Sequence, residues 1–216
     1  MLETHFIPAV NPASRRLMVV MHGLGDSLES YRMLPTEIGL PWLNYLWVNA
    51  PNPYVTGFSW FDFPGDPAPG AEQSYIQLRQ LLDAQRERGF PTEQTVLFGF
   101  SQGCLMVWEA GVRYPYRFAG CIGVSGFMRE PGQLLKLRSS VAVEQRFCIT
   151  HGMMDDLIPI EESQKQVELV RKAGLQVEWK EIVKGHTIDP FGEMMLIRRF
   201  IERCFNQSPQ SFQKVI

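Results

Sequence analysis

The stretch from residue 96 to residue 114 constrains this chain more than any other. An apolar run, residues 96–100, leads into the pattern Gly-x-Ser-x-Gly at residues 99–103, and the residues that follow have helical character. The pattern is typical of a strand that turns sharply into a helix with the serine at the apex, where larger side chains in place of either glycine would collide. We therefore predict that Ser101 stands clear of a sheet, above the N-terminal N–H groups of a helix. The alternative is an ordinary turn in which Ser101 only caps the helix.

Strand-like and helix-like segments alternate along the rest of the chain. An alternating order of this kind predicts an α/β fold with a mostly parallel central sheet and helices on both faces. Continuous apolar runs predict further strands at 17–21, 45–48, 118–125 and 146–150, and weaker patterns predict strands at 4–10 and 177–183. Helical spacing predicts helices at 30–38, 71–88, 160–173 and 190–205. We expect one domain over residues 1–216, with 206–216 as a loosely held tail.

The composition excludes several classes of function. The 216 residues carry a formal net charge of −2 without a basic cluster, so no nucleic-acid partner is expected. The N-terminus lacks the pattern of a signal peptide, and no apolar run is long enough to span a membrane, which together favour a cytoplasmic protein. The four cysteines are widely spaced in apolar segments, so we interpret them as core residues and expect neither a disulfide nor a metal site.

Reactive side chains follow several of the predicted strands. A serine hydroxyl needs a neighbouring base, and the base needs an orienting carboxylate. In α/β-hydrolases these groups occur in the order serine, carboxylate, histidine. His186 lies between the last predicted strand and the last helix, and the only aspartates between Ser101 and His186 are Asp155 and Asp156. The order predicts a Ser101–His186 pair completed by one of the two aspartates.

The other histidines have different interpretations. His151 is an alternative base, but it precedes both aspartates and so breaks the expected order. His22 begins the segment His-Gly-Leu-Gly at residues 22–25, where it would hold the loop in shape. The amides of Leu24 and Gln102 are the predicted pair of donors to an oxyanion, since one follows the serine and the other lies in this glycine-rich loop.

An aromatic segment separates the predicted strand at 45–48 from the helix at 71–88. Residues 52–69 contain five aromatic side chains, and prolines 64, 67 and 69 argue against a long strand. We expect a long loop without regular structure. A loop of this length is usually functional, although aromatic rings that merely cover the core are the alternative.

Four motifs together resemble one family. They are His-Gly-Leu-Gly-Asp-Ser at 22–27, Ser-Trp-Phe-Asp at 59–62, Gly-Phe-Ser-Gln-Gly at 99–103, and His151-Gly152 with Asp155 and Pro159. In this order and spacing the chain resembles the bacterial carboxylesterase, lysophospholipase and acyl-protein thioesterase family of α/β-hydrolases, over roughly residues 17–205. It departs from the family pattern at Met153, where an aspartate is usual, and at Cys104, where a glycine is frequent.

The resemblance implies a function and a set of site residues. It implies hydrolysis of carboxylic esters and thioesters of acyl groups, without a cofactor or metal, and it assigns Asp155 rather than Asp156 to the triad. The interval between Gly126 and Arg146 contains no large inserted cap, so we expect an open site that would admit a lipid or an acylated protein. The sequence does not decide between a monomer and a homodimer. The residues implied to line an acyl groove with Leu24 are Trp60, Phe61, Phe127 and Met128.

Three functions are consistent with these patterns. The first is a serine hydrolase that acts through Ser101, His186 and Asp155. The second is a non-catalytic acyl-binding module with the same fold, which would be expected to carry a broken triad, and no break is visible in the sequence. The third is a related hydrolase of the dienelactone or peptide type, although dienelactone hydrolases typically use a cysteine where this chain has Ser101.

Overall fold

A mostly parallel sheet of seven strands forms the centre of the computed structural model, which describes residues 2–206. The strands are ordered β1-β3-β2-β6-β7-β8-β9, and only β1 runs antiparallel to its neighbour. Residues 2–206 form nine strands, of which all but β4 and β5 belong to this sheet. They are β1 (Thr4–Ile7), β2 (Leu17–Met21), β3 (Asn44–Val48), β4 (Asn52–Tyr54), β5 (Gly57–Ser59), β6 (Thr95–Phe100), β7 (Gly120–Val124), β8 (Arg146–Gly152) and β9 (Gln176–Ile182). The predicted sheet is confirmed, whereas the predicted tail lies outside the described residues, apart from residue 206.

Helices cover both faces of the sheet. Strand β2 is buried along its whole length, and its side chains alternate between two cores. Leu17 and Val19 join a core with helices α2 to α5, and Met18 and Val20 join a core with α1 and α6. The helices are α1 (Leu34–Ile38), α2 (Pro67–Glu87), α3 (Gln102–Arg113), α4 (Pro131–Lys136), α5 (Ile160–Lys172) and α6 (Gly192–Asn206).

The aromatic segment is more regular than its sequence predicts. Strands β4 and β5 pair as a small antiparallel hairpin, separate from the main sheet. Helix α2 begins at Pro67, four residues before the predicted start, because the side chain of Asp66 accepts a hydrogen bond from the Ala68 N–H and caps the helix. Proline is tolerated in the first turn of a helix, where its missing N–H has no partner to lose. The expectation of an irregular loop over 52–69 was therefore wrong.

The topology brings the reactive segments to one edge of the sheet. Strands β2, β6, β8 and β9 run parallel, so the loops that follow them all leave from the same edge. Between β7 and β8 the chain forms only α4 and a short 3-10 helix at Ala142–Glu144, so no cap domain covers this edge from that connection. No helix within residues 2–206 is both long and apolar enough to cross a membrane.

Candidate active site

Ser101 lies at the apex of the turn between β6 and α3. Its backbone has φ 53° and ψ −115°, in a region that non-glycine residues rarely adopt. The turn packs so tightly that a Cβ on Gly99 would lie 2.1 Å from the carbonyl oxygen of Gly103, and a Cβ on Gly103 would lie 2.2 Å from that of Met21. The glycines at both positions therefore permit the close backbone contacts that present the serine.

His186 contacts both Ser101 and Asp155. Its Nε2 lies 3.0 Å from the Ser101 Oγ, and its Nδ1 lies 2.8 Å from the Asp155 Oδ2. A carboxylate only accepts hydrogen bonds, so Asp155 places the ring proton on Nδ1 and leaves Nε2 free to accept the serine proton. The three side chains that the sequence reasoning selected thus form one continuous chain of hydrogen bonds.

Asp155, and not Asp156, faces the histidine. The Asp155 side chain is fully buried, and its Oδ1 accepts hydrogen bonds from the N–H groups of Leu157 at 3.1 Å and Ile158 at 2.9 Å. Burial disfavours ionisation of this carboxyl, but the Ile158 N–H, the His186 ring and the Leu157 N–H outweigh it and lower the pKa of Asp155. Asp156 is exposed and makes no contact with His186.

His151 is buried next to Asp155 and makes no hydrogen bond to Ser101. Its Nε2 donates to the carbonyl oxygen of Ile158 at 2.9 Å and lies 3.5 Å from the Asp155 Oδ2. The ring is fully buried and stacks on Trp179, and burial lowers the pKa of His151. This placement supports a packing role next to Asp155 and not the alternative role of base.

The loop after β2 lies directly against the serine. A Cβ on Gly23 would be 3.3 Å from the Ser101 Cβ. Within residues 2–206 the N–H groups of Leu24 and Gln102 donate to no protein acceptor. Two free backbone donors beside a serine hydroxyl could bind the oxygen of a tetrahedral intermediate.

His22 holds this loop in place. Its Nε2 accepts a hydrogen bond from the Ala50 N–H at 3.0 Å, so the proton is on Nδ1, which donates to the carbonyl oxygen of Gly23 at 2.6 Å. The ring is fully buried, and burial lowers the pKa of His22. A neutral imidazole in this position makes both bonds at once.

The aromatic segment braces the loop and the helix that flank Ser101. The Gln102 side chain accepts from the Trp60 N–H at 2.9 Å and donates to the Phe61 carbonyl at 3.0 Å. The Trp60 indole N–H donates to the His22 carbonyl at 2.9 Å, and the backbone of Phe58 exchanges hydrogen bonds with the same loop at Gly25 and Asp26. The segment therefore supports the site from behind.

This bracing corrects part of the predicted acyl groove. Trp60, Phe61 and Met128 are 0 %, 1 % and 1 % exposed, so they cannot line an open surface in this structure. They belong to the same hydrophobic core as helix α3. Of the four predicted lining residues only Phe127 is partly exposed, and its ring lies edge-on to Phe61 with the centroids 6.4 Å apart.

A buried ion pair next to His186 was not predicted. The Lys184 ammonium contacts both carboxylate oxygens of Glu193 at 2.7 Å and donates to the Thr187 carbonyl at 2.6 Å. Glu193 also accepts from the Asp189 N–H at 2.8 Å. These bonds fasten both sides of His186 to the first turn of α6. The sequence signal was a lysine two residues before the histidine and a glutamate in the following helix, a pattern that is usually solvated.

Cys104 stands directly after the serine motif, where the family frequently has a glycine, and its side chain is fully buried. A Cβ on Gly123 would lie 2.5 Å from the Cys104 Sγ, and a Cβ on Gly126 would lie 2.3 Å from the Cys104 Cβ. These two glycines therefore leave room for the cysteine side chain. Burial raises the pKa of the Cys104 thiol to about 12, so it is not a competing nucleophile at neutral pH. The part of the chain that the structure describes holds no group of three or more His, Cys, Asp or Glu side chains placed to bind a metal.

Comparison with known proteins identifies the family. The sequence profile of the phospholipase/carboxylesterase family, a branch of the α/β-hydrolases, matches residues 2–205. The chain belongs to this family. It is a carboxylic ester hydrolase by class, and the resemblance drawn from its four motifs is confirmed.

Individual relatives and a solved structure show how far the similarity extends. Acyl-protein thioesterase 1 of Schizosaccharomyces pombe is 31% identical over 165 residues, which cover 69% of this chain and 74% of that protein. The crystal structure of esterase PE8 superposes with a TM-score of 0.85 at 26% identity, over 94% of this chain and 99% of that one. A protein of Oryza sativa that is 26% identical over 93% of this chain and 90% of its own length is named as a probable inactive carboxylesterase.

Proposed function

We propose that this protein hydrolyses acyl esters or thioesters through a catalytic triad of Ser101, His186 and Asp155. The observation that carries the proposal is the unbroken hydrogen-bond chain from the Asp155 carboxylate through the imidazole to the Ser101 hydroxyl, with distances of 2.8 and 3.0 Å. The strained serine backbone and the free amides beside it support the same mechanism.

In the first half-reaction the Ser101 Oγ attacks the carbonyl carbon, and its proton moves to His186 Nε2. The developing oxyanion is bound by the N–H groups of Leu24 and Gln102. His186 then donates its proton to the leaving oxygen or sulfur as the bond to the carbonyl carbon breaks. The products of this step are a free alcohol or thiol and an acyl group on Ser101.

In the second half-reaction a water molecule attacks the acyl-enzyme and gives a proton to His186. Collapse of the intermediate releases the carboxylic acid, and His186 returns the proton to Ser101. Asp155 keeps the imidazole in the required tautomer in both halves and stabilises the imidazolium that forms. Its lowered pKa keeps the carboxyl ionised for this role at neutral pH.

The proposed substrates are esters or thioesters of acyl chains, with a lipid or an acylated protein as the larger candidates. The Schizosaccharomyces pombe relative, named as an acyl-protein thioesterase, supports this class. No cap domain from the β7–β8 connection restricts access to the sheet edge where Ser101 lies.

The second candidate is an acyl-binding module without catalysis, and one relative favours it, since the Oryza sativa protein is named as probably inactive. Substitution of Ser101 separates the two. Ser101→Ala should abolish turnover of p-nitrophenyl butyrate while the protein remains folded. Ser125→Ala is the matched control, because Ser125 is a second buried serine with positive φ at a strand end, and its hydroxyl has no hydrogen-bond partner within residues 2–206. If Ser101→Ala retains the wild-type rate, the triad mechanism is wrong.

A further inference from the structure

A cleft of about 380 Å³ opens beside His186, and we call it the His186 cleft. Helix α1 and the preceding 3-10 helix Leu28–Tyr31 form one wall, and the loop from His186 to Pro190 forms the other. The floor includes Phe100, whose ring centroid lies 5.0 Å from that of His186. The volume is sufficient for a small organic group.

The position of the cleft indicates which part of an ester substrate it would bind, the acyl chain or the leaving group. His186 and Phe100 line it, whereas Ser101 and the two amide donors, Leu24 and Gln102, are not among the described residues of its wall. In acyl transfer the imidazolium must give its proton to the leaving oxygen or sulfur, so the leaving group lies on the side of the imidazole. The His186 cleft is therefore placed for the alcohol and not for the acyl chain.

The charged side chains that line the cleft indicate which kind of alcohol it would bind. Its wall contains two carboxylates, Asp26 and Glu37, and no lysine or arginine among the described lining residues. The Glu37 side chain is exposed and makes no hydrogen bond or ion pair with any residue in 2–206. Asp26 uses its Oδ1 to accept from the Ser27 N–H at 2.9 Å and from the Ser30 hydroxyl.

Apolar side chains complete the wall between these carboxylates. Met33, Leu34 and Ile188 line the cleft, and Met33 is 61% exposed. A group with apolar substituents around a positive charge would contact these side chains and remain close to the carboxylates. An anionic leaving group would meet repulsion from the same carboxylates.

We propose that the His186 cleft binds the leaving group, and that it favours an alcohol that carries a cationic amine over a neutral or anionic alcohol of the same size. This inference rests on the proposed function, because a leaving-group site requires the Ser101–His186 chemistry. It adds a selectivity for the alcohol, which neither the triad geometry nor the family assigns.

Two esters of equal shape test the proposal. Butyrylcholine and 3,3-dimethylbutyl butyrate share the acyl group and differ in the leaving group by a nitrogen in place of a carbon, and so by one positive charge. Wild-type protein should hydrolyse the choline ester with a kcat/KM about three- to tenfold higher, as expected for one or two partly solvated carboxylates at close range. The ratio should fall towards one at high salt, because the ions screen the attraction.

Variants identify the carboxylates that are responsible. Glu37→Gln should lower the ratio of the two kcat/KM values by about two- to threefold, since it removes one charge and preserves the shape. Asp26→Asn should lower this ratio as well. Its kcat/KM for the neutral ester, 3,3-dimethylbutyl butyrate, reports separately any effect of the substitution on the loop after β2. The control is Glu29→Gln, because Glu29 is exposed, pairs with Arg32 and lies outside the cleft.

The outcomes separate the two proposals. If the wild type hydrolyses both esters with equal kcat/KM, or if Glu37→Gln and Asp26→Asn leave the preference intact, the leaving-group inference is overturned and the triad mechanism stands. If neither ester nor p-nitrophenyl butyrate is hydrolysed, both proposals fail. A preference for an ester whose alcohol ends in a carboxylate would also overturn the inference.

Discussion

The imidazole of His186 has a different partner on each nitrogen, and this difference determines its chemistry. Asp155 lies at 2.8 Å from Nδ1 and Ser101 at 3.0 Å from Nε2. A carboxylate that was absent or turned away would leave the tautomer undefined, and the ring could then present a proton to the serine in place of a lone pair.

The adjacent residues Asp155 and Asp156 provide a direct test of this arrangement at the level of single residues. Asp155→Asn should reduce kcat by about a thousandfold to ten-thousandfold, the loss typical when the orienting carboxylate of a triad is replaced by its amide. Asp156→Asn should leave kcat near the wild-type value, because this side chain is exposed and does not contact the histidine. Rates with p-nitrophenyl butyrate compare the two variants, and equal losses would contradict the assignment of Asp155.

Chain order predicted two of these residues more firmly than the third. Ser101 and His186 followed from a motif and from the position of one histidine, but spacing alone did not separate Asp155 from Asp156. The structure separates them through the loop backbone, since the N–H groups of Leu157 and Ile158 bind one oxygen of Asp155 and turn the other towards the ring. Such a turn depends on the folded loop and leaves no periodic signal in the sequence.

At the scale of elements, the aromatic segment at residues 52–69 braces the site, whereas we expected it to line a groove. The family resemblance implied that Trp60 and Phe61 line an acyl groove, yet both are core residues whose backbone is held by Gln102. Their burial agrees with the alternative that these rings cover the core. These contacts join residues more than forty positions apart in the chain. Sequence patterns report local periodicity, so a brace formed by distant residues could not be predicted from them.

The loop that carries His186 is a second element whose stability comes from outside itself. The buried Lys184–Glu193 pair ties this loop to helix α6 through the Thr187 carbonyl. Burial lowers the pKa of Lys184, while Glu193 and the more distant Asp155 act in the opposite direction. Removing one member of such a pair leaves the other charge buried without a partner.

Replacement of this lysine should therefore be costly. Lys184→Met should lower the free energy of unfolding by about 3 kcal/mol or more, because the Glu193 carboxylate would be stranded in the core. Arg203→Met is the matched control. Arg203 lies on α6, the helix that carries Glu193, and in its ion pair with Glu178 both side chains are about half exposed. The control should cost at most about 1 kcal/mol. Urea denaturation measures both variants, and losses of equal size would show that the buried pair has no special role.

At the scale of the whole molecule, the sheet and its two cores were the most predictable features. Runs such as residues 17–21 are apolar at every position, which is typical of a strand covered on both faces, and β2 is buried throughout. The His186 cleft was not predictable, because its walls come from α1 and from the loop after β9, and only the folded sheet brings them together.

The buried histidines predict how stability depends on pH. Burial lowers the pKa of both His22 and His151 below the usual value of 6.5. Below about pH 6.5, and down to the pKa values of these histidines in the folded state, the unfolded chain therefore binds more protons than the folded chain. The free energy of unfolding should therefore fall as the pH drops below about 6.5. The pKa of Asp155 is lowered from 3.8, so its contribution is constant in this window and is lost only in stronger acid.

Urea denaturation at about pH 7.5 and about pH 5.5 checks this expectation. His151→Gln should reduce the difference between the two conditions, whereas His5→Gln, at an exposed position, should not change it. Stability that is unchanged or higher at the lower pH would contradict the interpretation of His22 and His151 as buried neutral rings.

Covalent labelling tests whether His186 and Asp155 activate Ser101 as a nucleophile. Wild-type protein is treated with a fluorophosphonate at neutral pH, and the adduct is located by mass spectrometry of the proteolytic peptides. We expect one adduct per chain, on Ser101, and we expect His186→Ala to slow the labelling strongly. An unlabelled wild-type protein, or an adduct on any other residue, would contradict it.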